Sequence, residues 1–276
     1  MLSTSLSSAV TGLNQFQKLM DNVGNNIANS NTDGYKATRM SFADTFSRNI
    51  QGGYSEGGQT QIGTGVTTSS VTTSYGLGGA TTTTSSEADL AIEGVGFFMV
   101  KDANGNSFAT RDGGFHIDPA THTLKNSQGF VVQGASLVSD GAGGTTATPG
   151  NVDLGDLTGM TSFKIQSNGT IDIHFQGGAI EKRGQVLLNS FQNPQKLERA
   201  GGNLYSNVDA AVGLPQLGAA ESGSLGRILS GQKEGSNVDL TNEFVNMITA
   251  QRGFQANARV ITTSDSLLEE VVNLKR

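Results

Sequence analysis

Two stretches of heptad-spaced apolar residues, one near each end of the chain, constrain its fold more than any other feature. The first stripe begins at residue 2 and the second at residue 240, and more than 200 residues lie between them. A period of 3.5 residues is typical of helices that bury a narrow stripe against each other in a coiled coil. We therefore predict one helical domain built from both ends, in a protein that assembles rather than catalyses. The predicted assembly interface consists of Leu2, Leu6, Leu13, Phe16, Met20, Val23, Ile27, Leu240, Phe244, Met247, Phe254, Ile261, Leu268 and Val272.

The composition indicates a thin core and excludes several classes of function. Apolar residues make up 35% of the 276 residues, while Gly occurs 38 times and Cys and Trp are absent. A chain of this kind gains buried area by packing against further subunits. The net charge of −6 argues against nucleic acid as a partner, because no basic stripe is present to neutralise phosphates. Without cysteine the chain has no disulfide, no thiol nucleophile and no cysteine metal site.

Each stripe predicts one long helix. The first runs from residue 2 to about residue 30 and carries two charges, Lys18 and Asp21. A surface helix normally shows a charged face, so this one is expected to be surrounded by protein; a disordered arm that orders on assembly is the alternative. The second helix is predicted to begin within residues 236–239, where Ser, Asn and Asp can cap free amides, and to end at about Leu274.

The segment between the first helix and the β-rich middle is unusually polar. Residues 36–88 are rich in Ser and Thr and are predicted to form an extended connector. Both β-like structure and a disordered linker fit this composition. Within the connector, residues 39–48 fit either a brief helix or a strand.

The centre of the chain shows the pattern of an all-β domain. Residues 89–235 alternate short apolar runs with turn signals such as Asn104-Gly105, at the spacing of an antiparallel sandwich or barrel. The predicted fold class is therefore α+β. Residues 1–35 and 236–276 pair as a coiled-coil domain, and a central, mainly antiparallel β domain is inserted between them.

No set of residues predicts catalysis, a cofactor or a metal site. His116 and His122 are expected near each other across a hairpin, yet further ligands at fixed spacing are missing. A calcium-loop pattern that opens at Asp102 fails, because Ser107 and Gly113 stand where Gly and Glu are required. The amino-terminal residues lack the features of a secretory signal peptide, and no run approaches the ~18 apolar residues of a membrane span. We therefore expect no membrane insertion, and either a cytoplasmic protein or export without a cleaved signal.

Several distinctive motifs lie in order along nearly the whole chain, at residues 25–36, 94–98, 110–115, 191–197, 202–205, 236–248 and 251–265. Together they resemble the motifs of the bacterial flagellar rod and hook family. The amino-terminal signature of that family usually has Pro or another small residue where Asp33 stands.

The resemblance implies an axial protein of the flagellum. Members of the family leave the cell through the flagellar type III export apparatus and polymerise into a hollow tube, with terminal helices lining the inside and the β domain forming the wall. The implied partners are further copies of the chain, the export apparatus and neighbouring axial proteins of the rod, the hook cap and the hook–filament junction. The implied location is the hook or basal body.

Within this family the sequence favours the hook. Residues 41–46 and 267–276 are hook-like, whereas the chain length is closer to that of a distal rod protein, which is the alternative. A secreted β-domain adhesin with a coiled-coil stalk is a further alternative. Such an adhesin would place its heptads at one end, and here they lie at both.

Overall fold

The computed structural model describes residues 2–51, 60–139, 145–208 and 217–274. Within these ranges two long helices flank a series of short strands, and the strand pairs are antiparallel. The contacts divide the chain into two compact units. The first comprises residues 1–30, 37–74 and 238–276, and the second comprises residues 31–36 and 75–237.

The first unit contains both helices and a strand ribbon. The helices are α1 (Leu2–Ala28) and α2 (Leu240–Leu274), and the strands are β1 (Thr38–Asp44), β2 (Ser47–Gln51), β3 (Thr60–Gly63) and β4 (Val66–Thr73). Strand β1 pairs with β4, and β2 pairs with β3. Helix α2 begins after Asp239, whose Oδ1 accepts the N–H groups of Thr241 and Asn242 and so caps the first turn.

The second unit is built from β-strands. They are β5 (Thr81–Thr83), β6 (Leu90–Glu93), β7 (Phe97–Lys101), β8 (Ser107–Thr110), β9 (Phe115–Ile117), β10 (Leu124–Asn126), β11 (Val131–Ser139), β12 (Thr145–Asn151), β13 (Met160–Ile165), β14 (Thr170–Phe175), β15 (Ile180–Asn189), β16 (Glu198–Gly201), β17 (Leu204–Ser206), β18 (Leu217–Ala219), β19 (Arg227–Ser230) and β20 (Gln232–Glu234). A 3₁₀ turn at Pro194–Lys196 precedes β16.

Twelve of these strands form one sheet, whose main path runs β13-β14-β15-β11-β7-β8-β17-β16. Strands β9, β10, β12 and β18 join it beside this path, while β19 pairs with β6 and β20 pairs with β5. The hairpin between β7 and β8 turns at Gly105, which adopts a φ of 92°. This is the turn that Asn104-Gly105 predicts, because glycine accepts positive φ at little cost.

The apolar residues of the second unit fall into two clusters. The larger includes Phe98, Leu90, Ile173 and Leu188, all fully buried between strands. In the smaller, the rings of Tyr75, Phe97, Phe191 and Tyr205 meet edge to face at centroid distances of 5.2–6.0 Å. Such geometry places the positive ring edge against the negative face of its neighbour.

The division into units differs from the predicted domain boundaries, which stay a prediction. Residues 31–36 group with the strands because Gly34 donates its N–H to the Glu234 carbonyl at 2.7 Å. Residues 37–74, which belong to the predicted connector, group with the helices because Thr38 bonds to Asn22 and Asn26 of α1. Of the two forms that residues 39–48 fitted, the strand is the one observed.

Candidate assembly surface

Helices α1 and α2 contact each other in antiparallel fashion through small residues. Gly12 of α1 lies opposite Asn257, and Phe16 lies opposite Gly253. A side-chain carbon on Gly253 would come within 2.5–2.9 Å of the Phe16 ring, closer than real carbon contacts allow. The glycine is therefore the opening into which the ring fits, and it lets the two helix backbones approach.

The predicted stripe of α1 largely lies on its inward face. Val23 is buried, together with Ala9, and the remaining stripe residues of α1 are half-buried. The side chain of Leu2 lies outside the described residues. The inward members of the predicted α1 stripe are Leu6, Leu13, Phe16, Met20, Val23 and Ile27.

The predicted stripe of α2 divides into two groups. Met247, Phe254 and Ile261 are half-buried on the side that meets α1. Leu240, Phe244, Leu268 and Val272 are instead 41%, 51%, 42% and 66% exposed. Ala250 and Ser264, which the strict heptad omits, are the buried residues of this helix. The assembly role of the stripe stays a prediction for both groups.

Exposed apolar side chains gather toward the two ends of α2. Near its start Val245 and Ile248 join Phe244, and near its end Leu267 and Val271 join the exposed stripe residues. Heptad counting missed these four because it follows one stripe, and a helix of 3.6 residues per turn can carry a second. The apolar residues of α2 that lie outside the heptad stripe were the sequence signal that could have identified this second group.

A buried amide joins α1 to its neighbours within the first unit. Asn26 is fully buried, and its Nδ2 donates to the Thr38 carbonyl at 2.8 Å and to Glu243 Oε1 at 3.1 Å. Its Oδ1 accepts the Thr38 N–H at 3.0 Å. One side chain therefore contacts the start of β1 and the first turns of α2, which satisfies its polar atoms away from water.

Three charged residues far apart in sequence meet in the second unit, and we call Lys36, Arg111 and Glu234 the ion triad. Lys36 Nζ lies 2.6 Å from Glu234 Oε1, and Arg111 Nη1 lies 3.0 Å from Glu234 Oε2. All three side chains are at most 2% exposed. Burial lowers the pKa of Lys36, and the Glu234 carboxylate opposes that shift.

The ion triad brings together motifs that sequence reasoning could only place separately. Lys36 ends the amino-terminal signature, and Arg111 lies in the motif at residues 110–115. Further hydrogen bonds run from Lys36 Nζ to the Leu77 carbonyl and from Arg111 Nη2 to the Gly94 carbonyl, each at 2.8 Å. The ion triad thus joins three segments that are far apart in the chain, and the sequence spacing of these residues did not indicate the contact.

A carboxyl group beside the ion triad has a raised pKa. Burial raises the pKa of Asp112 above its ordinary 3.8, and the nearby Asp33 and Asp89 add to this. The N–H of Gly114, which donates to Asp112 at 3.0 Å, and the Lys233 ammonium act in the opposite direction.

Among the described residues, no group of three or more His, Cys, Asp or Glu side chains is placed to hold a metal ion. Neither described helix is long and apolar enough to cross a membrane.

Three family models match the chain. Residues 6–36 match the flagella basal body rod protein model, residues 91–173 the flagellar hook protein FlgE/F/G D1 domain, and residues 229–274 the flagellar basal body rod FlgEFG protein C-terminal model. The flagellar basal-body rod protein FlgG of Bacillus subtilis is 39% identical over 281 residues, covering 99% of both chains. The chain belongs to the flagellar rod and hook protein family. It is accordingly a structural subunit of the flagellar axis rather than an enzyme.

The hook branch of the family is also similar to this chain. The flagellar hook protein FlgE of Rhizobium meliloti is 26% identical over 412 aligned residues, covering 98% of both chains. Because that alignment is much longer than 276 residues, the hook relative carries additional segments between its matched ends. A solved hook protein, FlgE2 of Helicobacter pylori, matches 48% of this chain and 32% of its own length at 21% identity, with a TM-score of 0.23.

Proposed function

We propose that copies of this chain polymerise into a hollow helical tube, in which α1 and α2 pair as a coiled coil and line the channel. The observation that carries the proposal is the set of exposed apolar side chains on α2, in a chain of the flagellar rod and hook family. Burying one side chain of this size contributes roughly 1.5–3 kcal/mol, so several together favour association strongly.

The symmetry of such a contact explains why a tube results. An interface between two different faces of identical subunits does not close on a pair, and it continues as a ring or a helix. The outward apolar residues of α2, such as Phe244 and Ile248, supply one of these faces.

Within the flagellar axis we propose that the chain forms the hook. The hook-like residues 41–46 and 267–276 support this, and the described part of residues 267–276 is the exposed end of α2. The distal rod is the second candidate. It is favoured by the 39% identity to a basal-body rod protein of nearly the same length.

The partners follow from that position. We propose contacts with further copies of the chain, the rod, the hook cap and the hook–filament junction, and passage through the flagellar type III export apparatus. These contacts would use the exposed face of α2, which is the part of the predicted interface that α1 leaves uncovered.

Electron micrographs of the purified chain test the tube. At high concentration we expect hollow tubes of uniform diameter. Discrete monomers or trimers at every concentration would contradict assembly and favour the adhesin alternative.

Deleting the gene in its host and imaging isolated basal bodies separates hook from rod. If the chain forms the hook, complete rods remain and the structure beyond them is missing. If the rods themselves are truncated, the distal rod is the correct assignment and the hook proposal fails.

A further inference from the structure

The apolar stripe of α2 does not by itself fix where α1 lies along it. A heptad pattern repeats every seven residues, so moving α1 by one heptad keeps apolar side chains facing each other. A shift toward the end of α2 would place Gly12 opposite Ser264 instead of Asn257, and would cover turns that include the exposed Leu268 and Val272. The shift would also uncover the first turns of α2 and move Phe16 from Gly253 to Val260. The heptad pattern alone therefore does not choose the register, and contacts specific to the observed one must hold it.

The polar contacts of Asn26 distinguish the two arrangements. Its Nδ2 donates to Thr38 of the ribbon and to Glu243 of α2, and its side chain is fully buried. After a one-heptad shift Asn26 would lie opposite Ala250, whose methyl group accepts no hydrogen bond. One buried N–H would lose its partner, which is among the more costly changes a packed interface can suffer.

We infer that Asn26, through its hydrogen bond to Glu243, is the residue that sets the register of α1 against α2 and keeps the last turns of α2 uncovered. Its role resembles that of a single buried Asn in a coiled coil, which selects one alignment at some cost in stability. The inference concerns contacts within one chain and holds whether or not the proposed tube forms.

Engineered disulfides can report the register, because the chain has no cysteine of its own. The native pair is Gly12→Cys with Asn257→Cys, since a side-chain carbon on Gly12 lies 3.0–3.1 Å from atoms of the Asn257 side chain. The shifted pair is Gly12→Cys with Ser264→Cys, plus Asn257→Ala to leave room for the new side chain. Each pair is made in the full-length chain with Asn26 intact, with Asn26→Leu and with Glu243→Ala. Intrachain disulfide is measured after mild oxidation of dilute protein, by gel mobility and intact mass.

With Asn26 intact, the native pair should form the disulfide and the shifted pair little of it. Asn26→Leu should raise the yield of the shifted pair relative to the native pair about tenfold or more, because one buried hydrogen bond is worth a factor of this order. The matched control is Asn25→Leu at the neighbouring exposed position, which should leave the ratio unchanged.

Two outcomes overturn the inference. The first is an unchanged ratio in Asn26→Leu, which would assign the register to the fit of Phe16 on Gly253. The second is an equal change in Asn25→Leu. If Asn26→Leu forms neither disulfide, Glu243→Ala decides by the same ratio, because it removes the acceptor and leaves the buried amide in place.

Discussion

At Glu234 a single carboxylate balances two buried cations. Lys36 and Arg111 approach different oxygens of the same group, so each oxygen has its own charged partner. A second ion pair of similar length, Arg227 with Glu93 at 2.6 Å, lies on the surface with both side chains more than half exposed. The two pairs look alike in distance and differ in burial, which decides their energetic value.

Glu234→Ala should destabilise the β-rich unit strongly. The change leaves two buried cations without a counter-charge, which costs roughly 3–5 kcal/mol. Glu93→Ala is the matched control and should cost less than about 1 kcal/mol, since its pair is hydrated. Urea unfolding followed by circular dichroism measures both variants, and similar losses would show that the burial of the ion triad is unimportant.

The raised pKa of Asp112 predicts a pH dependence of stability. The folded state holds the proton at pH values where the unfolded carboxyl, with its ordinary pKa of 3.8, has released it. The free energy of unfolding therefore falls as pH rises from 3.8 through the raised folded pKa. Asp112→Asn keeps an oxygen that can accept the Gly114 N–H, but its amide does not titrate. The fall in the free energy of unfolding with rising pH should therefore disappear in this variant.

The measurement is the urea midpoint of both proteins at a series of pH values upward from 3.8. Asp118 and Asp156 act in the opposite sense, because hydrogen bonds lower the pKa of each. The stability that these two carboxylates contribute to the fold is lost below pH 3.8, whereas Asp112 changes the stability only above pH 3.8. Equal slopes in wild type and Asp112→Asn would contradict the assignment.

The helix pair shows how one glycine can matter more than helix propensity. Gly253 of α2 meets the Phe16 ring, whereas Gly24 of α1 has no atom near the position of a side-chain carbon. Both lie inside a helix, where glycine is less favourable than alanine by about 1 kcal/mol. The cost of glycine in helix propensity is therefore the same at the two sites, and only the packing of neighbouring atoms around each glycine differs.

Gly253→Ala should loosen the helix pair despite the better helix former. The added carbon would lie 2.5–2.9 Å from ring atoms, so the ring or the helix must move, at a cost of roughly 1–3 kcal/mol. Gly24→Ala is the control and should stabilise by about 0.5–1 kcal/mol. Thermal loss of helical circular dichroism in the two variants should shift in opposite directions; a shift in the same direction contradicts the fit of Phe16 on Gly253.

Periodicity predicted the helices well and their contact faces less well. The sequence indicated helices to about residue 30 and from residues 236–239 onward, and the structure has them at Leu2–Ala28 and Leu240–Leu274. The inward face of α2 includes Ala250 and Gly253, which are too small to register in a count of large apolar residues. Close backbone approach needs such small residues, so the contact face and the most apolar face of the helix differ.

At the scale of the whole molecule, the exposed apolar side chains of α2 make assembly the feature to test. Leu240, Phe244 and Ile248 all lie at the surface of the described chain. Large exposed apolar groups of this kind mark interaction sites. The β-rich unit has its own buried core, so a change on α2 can be separated from a change in folding.

Phe244→Asp should block tube formation and leave the β-rich unit folded. It removes an apolar contact and places a charge in the proposed interface, so the critical concentration for polymerisation should rise at least about a hundredfold. Asn246→Asp adds the same charge at an exposed polar site on the same helix and should have a much smaller effect. Sedimentation of the polymer gives the critical concentration, and thermal melting checks the β-rich unit. If Phe244→Asp polymerised at the same critical concentration as the wild type, this face of α2 would not be part of the interface.

The sequence alone identified the family, but it did not predict the ion triad. Ordered motifs identify a relative because each preserves a local segment. Lys36 and Glu234 are 198 residues apart, and Arg111 and Glu234 are 123 apart, so only the folded chain shows that they meet. Hook and rod differ in contacts between copies of the chain, which neither a motif nor a single folded copy contains.

The ion triad also lies where the chain enters and leaves the β-rich unit, which is where a pull on the chain would reach it. Lys36 lies on the segment by which the chain joins this unit, and Glu234 ends the last strand before the chain leaves it. Tension applied to these two segments would therefore load the Lys36–Glu234 pair and the Gly34–Glu234 backbone bond, together with the hydrogen bonds of Asp33 and Gly235 beside them. Glu234 also lies opposite Thr81 in the pairing of β20 with β5, so this strand pair and the ion triad share a load applied at the two ends.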